Sequence, residues 1–110
     1  MTVKIKKNRI TMTRGDTLRC NIEIADSAGN IYIPVDGDLI RFAAKKSYTD
    51  EAPCIVKEIP YDTMLLQLDS EDTKSLEQPS TLVYDIQITM TDGTVDTFMN
   101  GTIQITEEVD

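Results

Sequence analysis

Nineteen carboxylates and no histidine set the limits on what this 110-residue chain can do chemically. Without imidazole the commonest general base is gone, and with it the Ser/His and Cys/His nucleophile systems. Catalysis would rest on paired carboxylates alone, in a chain with no Trp, four Tyr and two Phe to line a cleft. No recognisable acid/base set is spelled out, so the expectation is a protein that is not an enzyme and carries no cofactor. Asp36-Gly37-Asp38, with Asp26 or Asp92 beside it, could offer oxygens to calcium, but the EF-hand spacing is missing. Turn aspartates bonding their own backbone explain the same residues, and no metal is expected. Arg14-Gly15-Asp16 spells an adhesion tripeptide and also a turn ahead of a strand, which is the preferred reading. The final Glu107-Glu108-Val109-Asp110 has the form of a tail read by tetratricopeptide co-chaperones. The tail follows a strand with almost no flexible spacer, so an acidic strand end that favours solubility is the preferred reading.

Cys20 and Cys54 stand far apart, without the spacing of a zinc site, and are expected as reduced, buried thiols. A disulfide would need the two strands to bring their Cα atoms within roughly 7 Å. No apolar run resembles a signal peptide or approaches a membrane span, so assembly in a cytoplasm is expected. The net charge of −8 argues against nucleic acid as a partner. That charge is uneven. Residues 1–14 hold five Lys/Arg and no acid, whereas residues 15–110 hold six Lys/Arg against nineteen Asp/Glu, a balance of −13. A basic arm precedes an acidic body, which suits either electrostatic docking between subunits or an edge strand guarded by lysines.

The elements that must position these residues are strands. Leu82, Tyr84, Ile86, Ile88 and Met90 alternate with polar residues, Thr91-Asp92-Gly93-Thr94 turns, and Ile103 and Ile105 alternate again. The same period of two runs through Val3 and Ile5 and then Ile10 and Met12, as one strand or two short ones, through Leu18, Cys20, Ile22 and Ile24, through Ile40, Phe42 and Ala44, and through Met64, Leu66 and Leu68. Thr17 to Ala25 reads as one strand, Ile31–Ile33 as a return strand stopped by Pro34, and Cys54–Ile59 as another ended by Pro60. Residues 69–76 break the pattern: Ser70 is the expected N-cap of one short helical excursion around 70–76, with Leu76 tucked inward. Seven to eight strands at this spacing predict one all-β domain over 1–110, an immunoglobulin-like antiparallel sandwich, with a small barrel as the alternative.

An ordered set of segments resembles a family of small structural proteins of Gram-positive phages and prophages. It comprises Arg14-Gly15-Asp16-Thr17, the run Gly37-Asp38-Leu39-Ile40-Arg41-Phe42-Ala43-Ala44-Lys45-Lys46, Leu66-Gln67-Leu68 leading to Glu71-Asp72-Thr73, Tyr84-Asp85-Ile86-Gln87-Ile88, Asp92-Gly93 ahead of Thr97-Phe98, Gly101-Thr102-Ile103 and Ile105–Val109. These cover most of the chain and are similar to Ig-like tail modules and to the N-terminal domain of upper baseplate proteins. The resemblance implies a virion subunit, tail or baseplate associated, assembled in the bacterial host cytoplasm, whose partners are other virion subunits or further copies of itself. The receptor-binding or fibre region of the longer members has no counterpart here, so a connector or capsid decoration role is an alternative. A carbohydrate or cell-surface adhesion module is another, and it would need Tyr32, Tyr48 and Tyr61 to cluster. The residues expected to meet a partner are Lys4, Lys6, Lys7 and Arg9 of the arm, with Asp85, Gln87, Thr102 and Gln104 on the polar face of the last hairpin.

Overall fold

The computed structural model describes residues 4–6, 9–25, 29–47, 49, 52–74 and 80–107, with 4–6 and 80 placed by backbone pairing. Among the described residues ten strands and one short helix follow in chain order: β1 (Lys4–Lys6), β2 (Arg9–Thr13), β3 (Leu18–Asn21), β4 (Ile24–Ala25), β5 (Ile31–Tyr32), β6 (Leu39–Lys45), β7 (Ile55–Ile59), β8 (Leu65–Leu68), α1 (Ser70–Lys74), β9 (Ser80–Thr89) and β10 (Val95–Thr106). Six strands form one sheet in the order β1-β2-β10-β9-β6-β7, antiparallel throughout except where β10 runs parallel to β2. Two small sheets, β3-β8 and β4-β5, complete an all-β, sandwich-like fold.

Alternation decides which face is buried. Ile40, Phe42 and Ala44 of β6, Leu82, Tyr84, Ile86 and Ile88 of β9, Ile103 and Ile105 of β10, and Ile10 and Met12 of β2 all lose their contact with water. Leu18, Leu66 and Leu68 of the β3-β8 pair belong to the same apolar cluster, so the small sheet covers the inner face of the large one. At its centre Phe42 and Tyr84 pack with ring centroids 5.3 Å apart. Burial pushes the Tyr84 hydroxyl up to about 12.

Four local expectations are corrected. The expected strand from Thr17 to Ala25 is two: after a last bond from the Ile22 N–H to the Met64 carbonyl (2.8 Å), Met64 leaves extended geometry (φ 51°) and the chain pairs with β5 instead. Strand β8 starts at Leu65 and not Met64, whose backbone takes a left-handed φ of 51°. The N-cap is Asp69 and not Ser70: Asp69 N–H donates to the Asp72 carboxylate (2.7 Å), a side chain reaching back over the first turn as in a capping box. Cys54 is exposed, not buried, because it precedes β7 and its thiol reaches only the Ala44 carbonyl (3.4 Å); Cys20 is half-buried, its thiol pushed up by burial, and both are free. Leu76 lies outside the described residues.

Candidate interaction face

The side chains between the buried ones on the large sheet point away from the core, and no described element covers them. Register sets their rows. Glu58 of β7, Arg41 of β6, Gln87 of β9 and Thr97 of β10 stand abreast; the next row is Val56, Ala43, Asp85 and Asn100. Then come Lys45, Val83, Thr102 and Arg9, and beyond them Thr81, Gln104 and Thr11. Strand β1 extends the sheet past β2, with Lys6 in register with Arg9 and Lys4 with Thr11. Four of the residues expected at a partner contact, Asp85, Gln87, Thr102 and Gln104, therefore share one sheet face with Arg9, and Lys4 and Lys6 fall in the same rows. Lys7 lies outside the described residues.

Strand β6 was not among the expected contact residues, yet it supplies the middle of this face. Ala43 is the reason for its relief. Its methyl lies between the long side chains of Arg41 and Lys45, two residues either way on the same face, and opposite Asp85. The result is a shallow depression of about 240 Å³ walled by Arg41, Lys45, Pro53, Asp85 and Gln87. A second of about 80 Å³ shares Ala43, Lys45 and Asp85 and reaches Val83 and Tyr84. Arg41, Lys45 and Asp85 form no ion pair among the described residues, so their charges are available to an incoming group. The signal for β6 was present in the alternation of Leu39, Arg41, Ala43 and Lys45 against Ile40, Phe42 and Ala44. Leu39 and Val95, both opposite Thr89, place exposed apolar side chains at one end of the face, and Val56 adds another along the β7 edge.

The other motifs that could carry chemistry are occupied by the fold itself. Arg14-Gly15-Asp16 is a turn docked on α1: Gly15 N–H donates to the buried Thr73 hydroxyl (2.8 Å), Arg14 Nη2 to the Lys74 carbonyl (2.8 Å), and Asp16 N–H back to the Thr13 carbonyl (3.0 Å). Asp38 is buried, and one carboxylate oxygen accepts from the Tyr32 hydroxyl (2.6 Å) and the Val35 N–H (3.0 Å). Those bonds, the tyrosine's first and the Val35 amide's second, hold its carboxyl below 3.8 against the upward push of burial, with a smaller contribution from the Thr91 amide. The other oxygen, Oδ1, has no hydrogen-bond partner among the described residues. Asp92 accepts from the Thr94 N–H (2.9 Å) and shapes its own turn, and Asp26 lies outside the described residues. No group of three or more His, Cys, Asp or Glu gathers among the described residues. Of the three tyrosines, Tyr32 is tied to Asp38, Tyr61 sits in the β7–β8 turn, and Tyr48 lies outside the described residues. Glu107 is exposed, and the last three residues lie outside the description.

A third occupied cluster sits at the sheet edge. Lys57 pairs with Phe42, on the inner face, and its amine runs out past the core to Asp72 (3.0 Å) and Asp69 (3.4 Å). Asp72 chiefly, and Asp69 behind it, raise the Lys57 amine above its ordinary value. Asp69 is lowered first by the Gln67 amide and then by Lys57. These groups clamp α1 to β7 and leave the uncovered sheet face as the site free to act. Compared with protein-family models, with curated proteins and with solved structures, the chain matches none.

Proposed function

We propose that this chain is a non-enzymatic structural subunit of a phage or prophage particle, associated with the tail or baseplate, that works through protein–protein contacts. The observation that carries the proposal is the outer face of the six-stranded sheet. It is broad, polar, uncovered by the described chain, and studded with charges that form no ion pair among the described residues, around a shallow depression. Such a face has little to hold a small molecule and much to meet a complementary protein surface. The ordered resemblance to small virion proteins supplies the context, with assembly in the host cytoplasm.

Incorporation into particles is the test. Particles induced from a bacterium carrying the gene and purified by density gradient should contain this chain in fixed ratio to tail subunits when quantified by mass spectrometry. Recovery of the chain only in the soluble fraction, with complete particles elsewhere in the gradient, would overturn the reading.

A further inference from the structure

Charge is not spread evenly over the two sides of this fold. On the outer face of the large sheet, Arg9, Arg41 and Lys45 outnumber Glu58 and Asp85 among the described residues. That is a basic face on a chain of net charge −8. The small-sheet side is the converse: its exposed carboxylates outnumber Lys74 and Arg19, the latter bonded to Gln67 Oε1 (3.2 Å). Ile22 bonds Met64 and the Asn21 amide donates to the Thr63 carbonyl (3.2 Å), so Glu23 and Asp62 flank one junction, both exposed. Glu71 stands exposed on α1, beyond the pair that Asp69 and Asp72 make with Lys57. Glu23, Asp62 and Glu71 form no ion pair among the described residues.

We infer that the basic outer face docks, head to tail, on the Glu23/Asp62 side of a second copy of this chain. The inference rests on the assembly reading above and names its partner. Complementary patches on opposite sides of one molecule give a heterologous contact, which propagates into a ring or a stack, whereas a two-fold contact would set the basic face against itself. Like charges facing each other resist that alternative. Leu39, Val56 and Val95, exposed around the charged centre, give the contact apolar area to bury. Ion pairs at such a half-exposed surface are individually weak, so the contact gains strength through repetition.

Charge-swap complementation tests it. Sedimentation equilibrium of the full chain at low salt should show concentration-dependent association. Raising salt from about 0.1 M to about 1 M shortens the Debye length from about 10 Å to about 3 Å and should weaken that association by about tenfold or more. The variants Arg41→Glu/Lys45→Glu and Glu23→Lys/Asp62→Lys should each stay monomeric while keeping the wild-type circular dichroism and melting curve. Mixed in equal amounts, they should form a 1:1 species. Wild type that remains monomeric, or variants that still self-associate, would overturn the head-to-tail contact. Incorporation of the chain into particles would then point to a different virion subunit on this face, whereas its absence from particles would remove the assembly reading as well.

Discussion

Asp38 and its neighbour Gly37 show how a single turn is fixed by side-chain chemistry. The Asp38 carboxyl lies lower in the folded chain than its ordinary 3.8. Its stabilising effect is therefore complete above that value and is lost as pH falls through the lower folded value. Tyr32 is raised above 10.0, the Asp38 bond first among the causes, so its share is present below 10.0 and lost as pH rises beyond its folded value. Tyr32→Phe should lower the melting temperature at neutral pH and move the acid-side loss of stability upward toward 3.8. Thermal melts across the acid range read this, and an unchanged acid limb would contradict it. Gly37 has φ of 102°, and a Cβ there would stand 2.8 Å from Thr91 Cγ2. Gly37→Ala should cost about 1–3 kcal/mol in denaturant unfolding. Adding Thr91→Ala should return the steric share and leave the backbone share.

At the scale of elements, α1 is held by contacts from distant parts of the chain rather than by its own length. It has five residues, too few to persist alone, and the Arg14–Gly15 turn and Lys57 fasten its two ends. Thr73→Ala would leave Gly15 N–H without its partner and should cost about 1–3 kcal/mol, whereas Thr73→Ser should stay near wild type. Equal melting of the two variants would show that the hydroxyl is not what docks the turn. These long-range fastenings are also what the sequence conceals. The faces of β6 and β9 are legible because a half-buried strand imposes a period of two on Ile40, Phe42 and Ala44 and on Leu82, Tyr84, Ile86 and Ile88. The break at Ile22 depends on a carbonyl at Met64, and the Asp69 cap on a carboxylate that also pairs with Lys57. The first partnership has no local signature, whereas the second is an i, i+3 pair of the capping-box kind whose further tie to Lys57 the sequence conceals. The bulge at Phe98, where register shifts between Thr97 and Met99, keeps Ile103 and Ile105 facing inward, and the adjacent apolar pair Phe98-Met99 is its one trace in the pattern. The candidate site was legible to the same degree. Asp85, Gln87, Thr102 and Gln104 follow from alternation, whereas Arg41 and Lys45 joined them only once strand order set β6 beside β9.

For the whole molecule, stability and the proposed assembly draw on different surfaces. The core between the sheets carries the fold: Ile86→Ala, at a fully buried position, should cost about 2–5 kcal/mol and unfold the sandwich as one unit. Tyr84 adds an alkaline limit, since its hydroxyl is raised to about 12 from 10.0. Stability should hold below 10.0 and fall by on the order of 2 kcal/mol as pH climbs toward 12. Substitutions on the outer face should leave both properties unchanged, because Arg41, Lys45, Asp85 and Gln87 project from a sheet whose other side holds the core. The central claim, that this face is where the chain meets its own kind, is read most directly by the amide spectrum of the isotopically labelled full chain at low salt. Raising the protein concentration should shift the amides of Arg41, Ala43, Asp85 and Gln87 together with those of Glu23 and Asp62, and added salt should reverse the shifts. A spectrum unchanged by concentration, or shifts confined to other surfaces, would contradict the account.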